Sequence, residues 1–228
     1  MQTKTTYNPS LFAVLREAAR GKSVGRTLTN LFWCGGEALR GAILDIGGGG
    51  GRGSHYRFLS LATDARVQIV DVVQRPSTNF VLDITRERVP LQSGSQDHIF
   101  LFNILEHLAS SEVALREAHR LLKDGGTLLG SIPFLVNVHP DPHDFTRFTG
   151  EALEALFART GFKIETIVPI GRGPFLAAYE QLDMLIWSPL HLVGLPLVWS
   201  LDALLARLKP RRDLQAQFPL AYNFIVRK

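Results

Sequence analysis

Residues 44–54 read LDIGGGGGRGS, five consecutive glycines placed directly after a short apolar run that contains Asp45. Glycine loses more conformational entropy on folding than any other residue, so such a cluster is costly unless the backbone needs the freedom. The flanks argue against a flexible linker. AILDI ahead of the glycines is continuous enough to be a fully buried strand, and RGSHYRFLSLA behind them has the spacing of a helix that is beginning. A strand, a glycine turn and a helix form the corner of an α/β fold at which main chain approaches a ligand closely.

The rest of the chain extends that pattern. ARVQIVDVV (65–73), NFVLDI, DHIFLFNIL, TLLGSIPFL, FKIETIVPI and the terminal YNFIVRK are strand-like. Between them, SEVALREAHRLL is an amphipathic helix with Ser111 as its expected N-cap and Gly125 and Gly126 as its stop. Thr149 is the expected cap of GEALEALFARTG. Strands alternating with helices, with apolar strand cores, predict a doubly wound, mostly parallel sheet with helices on both faces. Ahead of it, SLFAVLREAAR and VGRTLTNLFWCGGEAL have helical spacing. The expected organisation is therefore N-terminal helices over 1–40 packed on a domain of 41–228, with an apolar helical insert at about 174–218.

Composition narrows the class. In 228 residues, 46% hydrophobic and 20% charged content describe a globular protein and exclude global disorder. The net charge of +4 suits an anionic ligand or surface without calling for nucleic acid. Cys34 is the single cysteine, so no intramolecular disulfide can form, and MQTKTTYNPSLF lacks a signal peptide's apolar centre. Both point to the cytoplasm.

In a doubly wound sheet, ligands sit at the carboxyl ends of the strands. That edge carries Asp45, Gly47, Gly49 and Gly51, then Asp71, Asp83 and Asn103 at the ends of successive strands. Asp71 follows Gly51 by 20 residues, a spacing suited to an acid that accepts a ribose's vicinal hydroxyls. Singly, each residue reads as a turn glycine or a capping aspartate; their joint placement is the specific signal.

The ordered set LDIGGGGG, VDVV, VLDI, VPLQSGSQDHIFLFNILEHL and EAHRLLKDGGTLLGSIPF resembles the class I S-adenosylmethionine-dependent methyltransferases, of the type 11 kind, over roughly residues 40–170 and the final YNFIVRK. The resemblance implies a Rossmann-like seven-stranded sheet with an antiparallel last strand, and S-adenosyl-L-methionine as cofactor. It assigns Asp45, Gly47, Gly49 and Gly51 to the cofactor's aminoacyl part, Asp71 to its ribose and Asp83 to the adenine amino group. Asn103, with Glu106 and His107 behind it, would line the methyl-transfer cleft. Relatives often have GCGTG where this chain has GGGGG, so Gly48 and Gly50 replace side chains that shape the loop.

Other readings use the same residues. The frame Gly48-x-Gly50-x-x-Gly53 matches a dinucleotide fingerprint, and Asp71 would serve an NAD(P)-binding oxidoreductase too. Against it, none of Tyr7, Tyr56, Tyr179 and Tyr222 is followed four residues later by lysine, the catalytic pair of short-chain dehydrogenases. Gly21-Lys22-Ser23 mimics a P-loop ending, but Arg16 stands where the loop's first glycine belongs. A cofactor-binding module without catalysis is the third alternative.

The acceptor is expected to be a small molecule, a sugar or lipid-linked glycan by analogy with methyltransferases that carry similar H…P.D..RFT segments. Here the segment is VHPDPHDFTRFT (138–149), where Pro140 and Pro142 prevent a helix. His139, His143, Asp144 and Arg147 are the catalytic candidates, with a histidine as general base for a hydroxyl acceptor. Asp144 and Arg147 read equally well as a structural ion pair. A metal bound by His139, His143 and Asp144 finds no further ligands at metal spacing, so none is expected. His55, His98 and His119 read as ordinary structural residues.

Residues 184–201, MLIWSPLHLVGLPLVWSL, are uncharged and near membrane-span length, but Pro189, Gly194 and Pro196 interrupt them. With Arg207, Lys209, Arg211 and Arg212 following, residues 176–208 are expected to lie in an anionic membrane interface, on the inner face, rather than cross it. A lid or a homodimer surface is the competing expectation.

Overall fold

The computed structural model describes residues 7–49, 53–182, 185–186 and 190–228, the side chains of 191 and 192 excepted. Its strands are β1 (Ala42–Ile46), β2 (Arg66–Asp71), β3 (Phe80–Val81), β4 (Gln96–Phe102), β5 (Leu122–Pro133), β6 (Lys163–Gly171) and β7 (Pro219–Arg227). Its helices are α1 (Leu11–Ala18), α2 (Val24–Leu31), α3 (Ser111–Leu121), α4 (Gly150–Arg159), α5 (Pro174–Leu182), α6 (His191–Leu208) and α7 (Leu214–Gln217). The seven strands form one sheet in the order β3-β2-β1-β4-β5-β7-β6, with β5–β7 and β7–β6 antiparallel and the rest parallel. This is the Rossmann-like arrangement the sequence predicts. The order reverses between β1 and β4, so the carboxyl ends of those strands are the expected ligand edge.

The contacts divide the chain into two interleaved units. One comprises 33–132, 139–167 and 224–228. Its core is Ile43 and Leu44 of β1, Ile99, Phe100 and Leu101 of β4, Leu115 and Leu121 of α3, Phe157 and Phe224, all fully buried. Each such side chain contributes roughly 1.5–3 kcal/mol by leaving water. The other comprises 1–32, 133–138 and 168–223. Here Val14, Leu28, Leu176 and Leu195 are fully buried. Glu180 of α5 lies against Gly25 of α2, Asn223 Nδ2 donates to Thr29 O at 3.0 Å, and Arg172 reaches Asn8 Oδ1 at 2.8 Å. The N-terminal helices and the 174–218 insert thus share one unit.

Several local expectations are corrected. No α-helix follows the glycines among the described residues; a single 3₁₀ turn occupies Ser54–Arg57. The cause is competition for backbone groups, because Leu39 N donates to Ser60 O and Ala62 N to Leu39 O, both at 2.9 Å. Helix α3 takes Ser110 rather than Ser111 as N-cap; the Ser111 hydroxyl donates to Leu105 O at 3.0 Å. It ends at Leu121 rather than at Gly125, because Gly94 N and Ser95 N take the carbonyls of Arg120 and Leu121 and Leu122 enters the sheet beside Gln96. The helix expected over VGRTLTNLFWCGGEAL stops at Leu31, and β3 keeps only two residues of NFVLDI.

Candidate cofactor and acceptor site

The functional edge lies within the first of these units. Strand β1 delivers Asp45 and then turns through Gly47 and Gly49, at φ 73° and 69°, in the left-handed region that favours glycine. A Cβ at Gly47 would stand 2.1 Å from Ile104 Cδ1, and one at Gly48 2.6 Å from Asp45 Oδ2. The glycine at 48, where relatives often carry a side chain, is therefore required by Asp45. At Gly49 a Cβ would meet nothing within 4 Å among the described residues. Gly51 lies outside the described residues.

Asp71, ending β2, locks the loop. Its Oδ2 accepts from Gly49 N at 3.1 Å and its Oδ1 from Val73 N at 2.9 Å, while the Ser77 hydroxyl donates to Gly49 O at 3.3 Å. Asp83, two residues beyond β3, is committed locally. Its Oδ1 accepts from Thr85 N at 2.9 Å and Thr85 Oγ1 at 2.6 Å, and Arg86 lies 3.3 Å from Oδ2. Slight burial pushes its carboxyl up, but the Thr85 hydrogen bonds and the Arg86 charge outweigh that and hold it below the usual range.

Asp45 is deeply buried, and its Oδ2 accepts from the Tyr56 hydroxyl at 2.7 Å with His55 Nε2 at 3.7 Å. The His55 ring stacks on Phe102 at 4.1 Å, so this histidine belongs to the site's floor rather than to an ordinary helix. Sequence reasoning missed both Tyr56 and His55. The signal for them was thin: two rings in the first turn after a glycine loop, ten and eleven residues beyond the acid.

At the end of β4, Asn103 adopts φ 55°, and the 3₁₀ turn Leu105–His107 brings Glu106 and His107 inward. The segment 139–147 is pinned above them, with Phe145 N donating to Glu106 O at 2.7 Å. Arg147 forms a bidentate pair with Asp144, one bond to Oδ1 and one of 2.6 Å to Oδ2, and Asp144 Oδ2 also accepts from His139 N at 2.9 Å. The Arg147 hydrogen bonds hold the Asp144 carboxyl well below the usual carboxylate range. The ring of His139 reaches Glu106, Nε2 to Oε1 4.0 Å, and that of His107 lies across it. His143 instead packs its exposed ring on Phe145 and offers its carbonyl to His107 Nδ1 at 2.6 Å. The structure thus gathers Glu106, His107, His139, Asp144 and Arg147, and leaves the His143 ring aside. His98 pairs with Thr127 at 2.6 Å, and burial lowers its pKa and that of His119.

A family model matches the stretch that carries the first part of this edge. Residues 44–130 fit the model of the methyltransferase domain family, and the fold is the Rossmann-like one of S-adenosylmethionine-dependent methyltransferases. No curated protein matched the chain. Among solved structures, the [4+2]-cyclase SpnF is similar at TM-score 0.55 and 14% identity, over 100% of this chain and 99% of that one. An S-adenosylmethionine-dependent methyltransferase from Archaeoglobus fulgidus gives 0.52 and 15%, over 94% of each chain. The 1,6-didemethyltoxoflavin-N1-methyltransferase of Burkholderia thailandensis, solved with its acceptor and S-adenosylhomocysteine, gives 0.50 and 15%, over 95% and 78%. At such identities the likeness is one of fold.

Proposed function

We propose that this protein transfers a methyl group from S-adenosylmethionine to a hydroxyl-bearing small molecule, a sugar or lipid-linked glycan. The observation that carries the reading is the coupling of Gly49 to Asp71: a positive-φ glycine, with no described side chain against its Cα, tied to the acid at the end of β2. These residues fit the cofactor. The Gly47–Gly49 backbone, with Asp45 and Tyr56 beneath it, would hold the aminoacyl part; Asp71 would accept from the ribose hydroxyls and Asp83 would stand by the adenine. When bound, S-adenosylmethionine supplies an electrophilic methyl on a sulfonium.

The chain's own residues then position the acceptor. Asn103, His107 and His139 form the polar wall at the end of β4, with buried Glu106 against the two histidines, and the Asp144–Arg147 pair keeps the 139–147 segment over it. His139, whose ring faces Glu106, is better placed than His143 to meet an acceptor hydroxyl. Alignment in a dry cleft is the main requirement of a direct displacement. Calorimetric titration with S-adenosylmethionine and with NADH tests the cofactor; binding of NADH alone overturns the reading in favour of an oxidoreductase. Transfer of labelled methyl to hydroxylated acceptors tests the activity. A protein that binds the cofactor and methylates none of them would be a binding module or, like the SpnF neighbour, a different enzyme on this fold.

We further propose that the α6 unit meets an anionic membrane surface. Among the described residues no helix is long and apolar enough to cross a membrane. On α6, Val193, Leu197, Leu204 and Leu208 are exposed at helical spacing, opposite buried Leu195 and Asp202. Exposed Arg207, Lys209, Arg211 and Arg212 gather at its end. Trp199, expected at the interface, is instead buried under the Arg172 guanidinium, 4.2 Å from its ring; Trp187 lies outside the described residues. Co-sedimentation with anionic vesicles, weakening as salt rises, is the expected result. Absence of binding, or a dimer formed through Leu197, would overturn it.

A further inference from the structure

The turn after β4 and the 139–147 segment bring together three side chains whose combined donor set has a chemistry of its own. Glu106 is completely buried, and both His107 Nε2 and His139 Nε2 approach its Oε1, at 3.7 and 4.0 Å. One ligand atom from each of the three lies within 4.8 Å of the other two. The two contacts to Oε1 are too long for hydrogen bonds. They are close to the spacing of neighbouring ligands around a zinc ion, where bonds of about 2.0–2.2 Å at tetrahedral angles set ligand atoms roughly 3.3–3.6 Å apart.

The far ring nitrogens of both histidines are held in place. His107 Nδ1 lies 2.6 Å from the His143 carbonyl oxygen, which can only accept, so Nδ1 carries a proton and Nε2 is the ring nitrogen nearest Glu106. His139 Nδ1 lies 3.5 Å from Asp144 Oδ2 and equally far from Arg147 Nη2. The guanidinium can only donate, so Nδ1 accepts from Arg147 while Asp144 accepts from the His139 main-chain N, and Nε2 must give up its proton when a metal binds. His107, whose far nitrogen is held by a carbonyl, is oriented as a metal ligand is, and the His139 ring is fixed by Arg147.

We propose that Glu106, His107 and His139 bind a divalent transition-metal cation of the zinc type. Two histidines and one carboxylate match the donor set of catalytic zinc sites, which keep a position open for water or substrate. Here the open position would take an acceptor oxygen, a role that rests on the methyltransferase reading; the metal binding itself does not. It also explains why the segment is anchored so firmly by Asp144 and Arg147, since a ligand supplied from a loop must be held in place.

The test uses the tag-free full chain, stripped with a chelator and titrated with Co²⁺ by visible absorption and with Zn²⁺ by calorimetry. The expected result is one equivalent of each, with zinc displacing the cobalt band. Glu106→Gln and His107→Ala should weaken binding by about tenfold or more, while His143→Ala, which keeps the carbonyl, should retain it. Circular dichroism checks folding, and the near-isosteric Glu106→Gln covers the case in which His139→Ala fails to fold. No uptake by the wild type, or equal uptake by Glu106→Gln and His107→Ala, overturns the site. S-adenosylmethionine affinity measured on the same samples separates the two proposals: cofactor binding without metal sinks this site alone, and metal without cofactor binding sinks the methyltransferase reading alone.

Discussion

Ser131 holds Asn103 twice: its carbonyl accepts from Asn103 N at 2.8 Å, and its hydroxyl donates to Asn103 Oδ1 at 2.8 Å. The two bonds secure the one described non-glycine residue with positive φ, at the point where β4 releases the chain into the Glu106–His107 turn. Asparagine tolerates this region better than most residues. Asn103→Ala should therefore cost about 1–2 kcal/mol of stability from backbone strain, and lose the Ser131 bond as well. Asn103→Gly should be milder in urea unfolding, since it relieves the strain. Equal losses would mean that the dihedral matters less than the hydrogen bond.

Asp71 offers the cleanest test of the cofactor reading. Asp71→Ala removes the acceptor of Gly49 N and the proposed ribose partner together. Hydrogen bonds to charged groups contribute roughly 1.5–3 kcal/mol, so S-adenosylmethionine affinity should fall by about tenfold or more while the fold persists. Titration calorimetry and a thermal melt on the same sample decide this, and unchanged affinity removes Asp71 from the site.

Gly49→Val separates ligand approach from packing. The position has φ 69° and no described atom within 4 Å of a Cβ, so a β-branched residue is strained by its backbone rather than by a clash with described atoms. Cofactor binding should disappear before the melting temperature moves by more than a few degrees. A variant that binds normally would make the glycine run a packing feature.

Acid should act through Asp144. Its carboxyl is held well below the usual range, chiefly by the Arg147 hydrogen bonds. An acid whose folded pKa is depressed stabilises the fold above its unfolded pKa, near 4, and that contribution is lost as pH falls below it. Asp144→Asn should cost roughly 1–3 kcal/mol at pH 7, with the difference from wild type shrinking below about pH 4. Denaturation followed between pH 3 and pH 8 gives the comparison; a pH-independent difference would assign the loss to packing.

Periodicity and punctuation in the sequence determined the sheet. AILDI and DHIFLF are too continuously apolar for anything but buried strands, and a glycine run between strand and turn leaves little choice of corner. The strand-end acids and Asn103 were legible for the same reason, because their places follow from where apolar runs stop. What the sequence did not determine were outcomes decided by competition between distant groups. The helix expected after the glycines yields to main-chain bonds between Leu39 and Ser60–Ala62, and Asp45 turns to Tyr56, which packs on Phe100, and to His55, which stacks on Phe102. Only the tertiary structure carries His139 to Glu106 and His107, across more than thirty residues of sequence, while setting the His143 ring aside. Local pattern reports which face of a strand or helix is buried; which side chains meet across the fold depends on loop backbone hydrogen bonds such as Phe145 to Glu106, which leave no period in the sequence.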